Sequence, residues 1–449
     1  MVRSAACEPK YESLLVDLAK TSKLSIGLII GQIAGQNGKD YIVHLARTPL
    51  ASPKAEEPKE ITNIIDVDNS QVAEHALNCV RMIVGGFQIL GLFVVSEKNL
   101  MSDTGVLLKL KTILMDIKST LDSNGLLYAN TDALDNGDKL ILNYISSHKN
   151  YICKTISSDP SKAASPNPVD WKFAKGMEWL EFETYYEVDT VFPLPHASNH
   201  FDTEKSVMLT IDIIAENLIQ SVLFFNGEAI DKDMTVEKFN KQNKTGSSKV
   251  KVTVYSKVPK LAGSKSGKLE PHEGLVRYSG VINSRVFGSP RNTINEIETY
   301  IRNDIIRSLT TRLQIYYDAL LANDDGGNDD ETGQDQDVNC TSPPRRVFYP
   351  IGNGNILFSD YLFQNETADT TVKQTKDILG INLSVDDVLT KAEVTAQLNL
   401  SGKEKNENLC STSEEPLSAK DTGKLVLILG IIGAALALII AIILHFVLN

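Results

Sequence analysis

Apolar and polar positions along the chain fall into helical and strand rhythms that can be read in order. Tyr11, Leu14, Leu15 and Leu18 recur at helical spacing and predict an amphipathic helix over residues 9–20. Two apolar runs, Ile26–Ile33 and Tyr41–Ala46, flank Gln36-Asn37-Gly38. Asn-Gly is a favoured hairpin turn because both residues tolerate positive φ. Pro49 closes the second strand, and the Pro/Glu/Lys-rich residues 50–68 read as a loop. Residues 70–83 fit a helix with Val72, Ala76, Cys79 and Val80 on one face, ended by Gly85-Gly86. "FQILGLFVVS" has almost no polar position, as expected of a central strand buried on both faces. A further amphipathic helix over 102–121 and a hairpin over 138–157, turning at His148-Lys149-Asn150, complete an α/β domain assigned to residues 1–157.

Residues 158–399 predict a second α+β domain. It opens with the loop "SSDPSKAASPNPVDWK" and turns to strand around Trp179–Val191. Residues 207–225 carry a helical and a strand signal at once. Alternation marks strands near 249–257 and 275–287, with polar loop between them. Ile294, Ile297, Ile301, Ile305, Leu309, Leu313, Tyr316 and Leu320 keep one face of a long helix apolar over 291–321. The acidic, low-complexity stretch 323–338 is expected to be a disordered loop, "RRVFYPIGNGNILFSDYLF" returns to strand, and 400–424 is a polar tether.

The last rhythm is none at all. From Leu425 to Leu448 only His445 is polar, and 17 of the 24 residues are Leu, Ile, Val or Phe. At roughly 1.5 Å per residue this makes about 36 Å of helix, enough to cross a hydrocarbon core of roughly 30 Å. A transmembrane helix is expected, with Leu425, Leu429, Gly433, Ile440, Leu444 and Leu448 among the residues in contact with lipid. The N-terminal twenty residues hold no apolar run of signal-peptide length. The helix is therefore read as a tail anchor that inserts after synthesis, with the bulk of the chain in the cytosol. Lys420 and Lys424 before it fit a cytosolic flank.

Composition narrows the function further. Hydrophobic residues make up 42% and charged residues 23% of the 449, ordinary for a folded protein. The net charge of −12 argues against nucleic acid as a partner, because phosphate binding needs a basic surface. Cys7, Cys79, Cys153, Cys340 and Cys410 are scattered, odd in number and form no Cys-x-x-Cys pair, which suits a reducing compartment and no zinc site. "AGSKSGKL" departs from a phosphate-binding loop at Ala262 and Leu269, and Glu270-Pro271 follows where a helix should open. No Gly-x-Ser-x-Gly and no His-Glu-x-x-His occurs, and the acidic stretch lacks the ligand spacing of a calcium loop. His44 and His75 have no second His or Cys at ligand spacing and read as structural. No catalytic, cofactor or metal residue is assigned. Trp171, beside Asp170, reads as a packing anchor, with an exposed contact role for the pair as the alternative. A membrane-tethered hydrolase using Cys79 or Cys153 with a distant His stays open, since triads assemble in space. A fusion protein would need heptads beside the anchor, and 400–423 has none.

Four collinear stretches carry a resemblance: "SIGLIIGQ…DYIVHLARTP" (Ser25–Pro49), "VAEHALNCVRMIVGGFQILGLFVVS" (Val72–Ser96), "DPSKAASPNPVDWKF" (Asp159–Phe173) and "PPRRVFYPIGNGNILFSDYLF" (Pro343–Phe363). With the terminal apolar segment, the chain resembles the odr-four (odorant response abnormal) family. The resemblance implies a tail-anchored protein of the endoplasmic reticulum membrane that helps localise a subset of G-protein-coupled receptors and anchors the cysteine protease of the ubiquitin-fold modifier (UFM). It also implies that residues 1–157 are similar to the MPN fold of proteasome-lid deubiquitinases. Active members of that fold place two histidines, one residue apart, after the Gly of their metal strand. Here Gly91 is followed by Leu92-Phe93-Val94, so a pseudoenzyme domain that serves as a pairing surface is expected.

Overall fold

The run read as a doubly buried strand lies in the middle of a closed barrel. In the computed structural model it spans Gln88–Ser96 (β4), and every residue of it is buried. The structure describes residues 3–34, 39–49, 61–125, 137–176, 178–195, 200–243, 248–256, 272–325, 342–352 and 354–401. The expected membrane helix 425–448, the tether from residue 402 onward, residues 326–341 of the acidic stretch and the Asn37-Gly38 turn lie outside these residues. Among the described residues no helix is long and apolar enough to cross a membrane. Met1–Gly402 make up one compact unit.

The barrel runs β1 (Arg3–Cys7), β3 (Lys39–Arg47), β2 (Leu24–Ala34), β4, β5 (Asp138–Ile145), β6 (Asn150–Ser157) and β7 (Asn167–Phe173). The two expected hairpins are β2–β3 and β5–β6, both antiparallel. The second turns through Lys149 at a φ of 50°. β1 and β7 close the ring by pairing in parallel, Ala5 against Trp171. Periodicity does not predict them: both are short, β7 contains Pro168, and their partners are remote in sequence.

The barrel wall has apolar residues on both sides. Ile29, Leu45, Leu90, Phe93, Leu140 and Leu142 pack with Tyr11, Leu15 and Leu18 of α1 (Lys10–Thr21). Ile26, Leu28, Ile30, Leu92 and Val94 enter a second core with α2 (Asn69–Met82) and α3 (Thr104–Ser123). Both helices begin where an aspartate takes up free N–H groups, Asp68 from Ser70 and Asp103 from Gly105 and Val106. At Gly91 a Cβ would run into the Leu140 carbonyl of β5, so the close strand approach requires glycine.

Five further strands form an open sheet in the order β14 (Gln397–Ser401), β11 (His272–Gly288), β8 (Leu180–Pro195), β10 (Lys249–Tyr255) and β9 (Val222–Phe225). The ambiguous stretch 207–225 divides into the end of α4 (His200–Ile219) and β9. A short helix, α5 (Val236–Gln242), precedes β10. One sheet face packs against α4 and the long helix α6 (Ile294–Asp325), whose Ile294, Ile297, Ile301, Ile305, Leu309 and Leu313 are buried as the periodicity requires. The hairpin β12 (Arg345–Pro350) and β13 (Leu357–Leu362) sends Phe348, Tyr349 and Phe358 into the α2–α3 core beside the barrel. After it comes α7 (Ala368–Leu379), a helix the sequence reading did not predict. It ends at Gly380 in the left-handed conformation, with Gly380 N–H donating to Lys376 O and Ile381 N–H to Thr375 O.

Candidate functional site

The described residues able to carry chemistry have definite places in this fold; Cys340 and Cys410 lie outside the described residues. On β7 the side chains alternate. Trp171 is inside, 5% exposed, edge-to-face with Phe173 at 6.0 Å. Asp170 is outside and pairs with Lys172 at 2.7 Å. The structure does not bring the two to one surface: Trp171 is a packing anchor, and Asp170 is the member that meets solvent.

The two histidines singled out in sequence both end on α7. His44 Nε2–H donates to the Leu379 carbonyl at 2.8 Å, and its Nδ1 lies 3.1 Å from the Tyr11 hydroxyl, which donates to the Val43 carbonyl at 2.5 Å. His75 Nε2–H donates to the neighbouring Ile378 carbonyl at 2.7 Å, and its Nδ1 lies 3.0 Å from the Thr48 hydroxyl. These carbonyls belong to the last turn of α7, which has no helical donors for them. The imidazoles supply those donors and hold the helix against β3 and α2. Burial favours the neutral ring in both, lowering the pKa of His44 to about 4 and that of His75 below its usual value.

Cys79 Sγ is 3.5 Å from His75 Nε2, which places a thiol beside an imidazole. That nitrogen already carries the proton given to Ile378, so it has no lone pair with which to take one from the thiol. Cys7, Cys79 and Cys153 are all buried, and burial pushes each thiol far above its ordinary value. Nucleophilic cysteines need the opposite environment. On β4, Leu92 and Val94 occupy the positions at which the resemblance would put a pair of zinc ligands; both are fully buried among carbon and cannot hold a metal. Among the described residues no three His, Cys, Asp or Glu are grouped so as to bind one.

Charge is concentrated on the second face of α6, to which the sequence reading assigned no role. Arg346 grips Asp304 through two hydrogen bonds, 2.8 and 3.0 Å, and Gly85 N–H donates to the same carboxylate at 2.7 Å. Arg312 pairs with Glu393 at 3.0 Å, and Glu393 also accepts from the backbone N–H of Asn283 at 2.6 Å and of Arg346 at 2.9 Å. All four charged side chains are 0% exposed. This seam joins the α2–β4 corner, α6, β11, the β12 hairpin and the segment before β14. A separate cleft of about 660 Å³ is lined by Trp179, Glu237, Asn240, Lys241, Gly288 and Asn355. Its polar groups are partly spent on each other: Lys241 pairs with Glu237 at 2.6 Å, and Asn355 donates to the Trp179 carbonyl at 2.7 Å. The arrangement ties distant segments together. The seam and the histidine clasp, both drawn from side chains far apart in sequence, are what motif reading missed.

The model of the family described as "Odorant response abnormal 4-like" matches residues 27–390, four-fifths of the chain. This chain belongs to the ODR4-like family. Its similarity to individual ODR4-like proteins is low in identity and long in extent. It is 26% identical over 434 residues to a protein odr-4 homolog of Drosophila melanogaster, covering 86% of each chain. It is 27% identical over 378 residues to the Xenopus laevis homolog, covering 82% of this chain and 81% of the relative. Against the Homo sapiens homolog it is 23% identical over 400 residues, covering 87% and 85%. The matched span of the ODR4-like chain takes in the barrel from within β2 onward, the histidine clasp and all of the α6 seam except Glu393. Among solved structures, UfSP from C. elegans aligns with a TM-score of 0.45 and 8% identity, covering 85% of this chain and 57% of that one.

Proposed function

We propose that this ODR4-like chain is a non-catalytic adaptor of the endoplasmic reticulum membrane. In this reading residues 425–448 are a tail anchor in the lipid bilayer and the bulk faces the cytosol. The barrel is an MPN-like pseudoenzyme domain that binds the UFM-specific cysteine protease and holds it at the membrane. The same platform aids the localisation of a subset of G-protein-coupled receptors. The observation that carries the proposal is the family match over residues 27–390. It is supported by the carbon-filled positions Leu92 and Val94, and by thiols at Cys79 and Cys153 that burial makes poor nucleophiles. The apolar run 425–448 supports the anchor.

The test compares the full chain with one lacking residues 424–449, each co-expressed with the UFM-specific protease. The full chain is expected to resist alkaline carbonate extraction and to carry the protease into the membrane fraction. The shortened chain should leave both soluble and still co-purifying. A protease that partitions alike in both cases, or that never co-purifies, overturns the reading.

A further inference from the structure

One ring nitrogen has two claimants. His75 Nε2–H donates to the Ile378 carbonyl in the last turn of α7 at 2.7 Å, and the same nitrogen lies 3.5 Å from Cys79 Sγ, one turn along α2. The other ring nitrogen, Nδ1, lies 3.0 Å from the Thr48 hydroxyl. While α7 is in place its carbonyl fixes the proton on Nε2, and the ring can take nothing from the thiol. The hold on α7 is local. Of its four buried positions, Ala368, Thr371, Thr375 and Leu379, only Leu379 is a large apolar side chain. Its 12 residues are near the length at which a helix is marginal by itself. Gly380 follows at a φ of 69°, a joint with no Cβ to accommodate. α2, which carries both His75 and Cys79, is held more firmly: it buries Val72, Ala73, Ala76, Val80 and Met82. Local opening begins where buried apolar contact is least, so α7 parts from the body before α2 does.

We propose that α7 is a latch whose release turns Cys79 from an inert thiol into a nucleophile. With the Ile378 carbonyl gone, Nε2–H loses its acceptor. The proton can then sit on Nδ1 and donate to Thr48 Oγ1, which leaves Nε2 as an acceptor for the Cys79 S–H. Thiol and imidazole stand four residues apart on one helix, so they keep their spacing when α7 leaves. Opening also brings water to a thiol that burial keeps protonated, and hydration favours the thiolate. His44 is the second catch, on the neighbouring Leu379 carbonyl at 2.8 Å. It belongs to β3, so it can be cut without touching the pair on α2. The open form suits a soft carbon electrophile with an activated double bond. The thiolate sulfur adds to the β-carbon, the π electrons move to the α-carbon, and the imidazolium returns the proton there; nothing is oxidised and nothing leaves.

The test uses the full chain in detergent, pulsed with N-ethylmaleimide and read peptide by peptide in the mass spectrometer. Cys153, buried on the α1 side of the barrel, reports global unfolding. Cys79 is expected to label faster than Cys153. His44→Phe, and separately Leu379→Ala, should raise the ratio of the two rates about tenfold, since each removes one hold on α7. Adding His75→Phe to His44→Phe should slow Cys79 about tenfold although α7 is freer still, because the base is gone. Cys79 labelling in step with Cys153, or a ratio that neither His44→Phe nor Leu379→Ala moves, overturns the latch. A double variant whose Cys79 labels as fast as in His44→Phe alone overturns the switch at His75.

Discussion

β4 and α6 are both enclosed by the rest of the chain, and they are enclosed by opposite chemistry. β4 is surrounded by carbon: Phe93 and Leu90 meet the α1 side, and Leu92 and Val94 meet α2, α3 and the β12–β13 hairpin. α6 meets carbon on one face only. On the other, Asp304, Arg307, Ser308, Thr311 and Arg312 are buried as well. Carbon needs only more carbon, and almost any apolar neighbour satisfies it. A buried carboxylate or guanidinium needs a particular counter-charge and particular N–H groups. The apolar region thus tolerates divergence, whereas the seam binds five parts of the chain to one arrangement. Among the described residues, His44, His75 and the buried charges of the seam serve as ties.

Breaking the seam should have the largest effect. Asp304→Ala strips Arg346 and Gly85 N–H of their acceptor inside the protein and should cost about 3–5 kcal/mol in urea unfolding. The double change Asp304→Leu with Arg346→Met should recover most of that loss. If the single variant behaves like wild type, the seam is not the constraint described. Cutting the apolar region is expected to follow: Leu92→Ala should cost about 2–5 kcal/mol, the spread depending on how far α2 and α3 collapse into the space.

Acid sharpens the contrast in a third way. His44 has a pKa of about 4 in the fold against an ordinary 6.5. The neutral ring is favoured, so its stability is present above 6.5 and is lost as pH falls toward 4. Asp360, buried on β13, is raised to about 6 from 3.8 by that burial. Its protonated form is favoured, so its stability is present below 3.8 and is lost as pH rises through 6. Each accounts for about 3 kcal/mol, and they nearly cancel between pH 4 and 6. Asp360→Asn should make unfolding strongly acid-sensitive over that range, and His44→Gln should reverse the slope. Parallel pH profiles in the two variants would refute the assignment. The smallest effect belongs to Asp170→Ala, which removes a solvent-exposed ion pair and should move the melting midpoint by less than about 2 °C.

Much of the fold is legible in the chain because apolar periodicity is local. Tyr11–Leu15–Leu18, the β2–β3 and β5–β6 hairpins, the all-apolar β4 and the isoleucine ladder of α6 each announce themselves within twenty residues or so. β1 and β7 do not, because a parallel pair is stabilised by a partner that no window contains. α7 is missed for a related reason. Its buried positions, Ala368, Thr371, Thr375 and Leu379, are mostly polar or small, and its last carbonyls are met by histidines from the barrel side. The seam left one readable sign. Between Thr299 and Asp325 the helix contains no Lys and no Glu, the residues that usually coat a solvated helical face, and Ser308, Thr310 and Thr311 stand in their place. Of the candidate contact pair, β7 alternation separates Trp171 from Asp170 once the strand is known, and the loop reading had hidden that alternation.

The seam also sets the order in which this protein can be finished. Its groups run from Gly85 to Glu393, so a nascent chain makes the barrel's apolar contacts while Asp304 still awaits Arg346 and Arg312 still awaits Glu393. Until Glu393 arrives the central helix keeps an uncompensated cation, and a shortened or stalled product presents that defect permanently. The seam therefore closes late: the carboxylate that completes it lies within the last ten of the described residues.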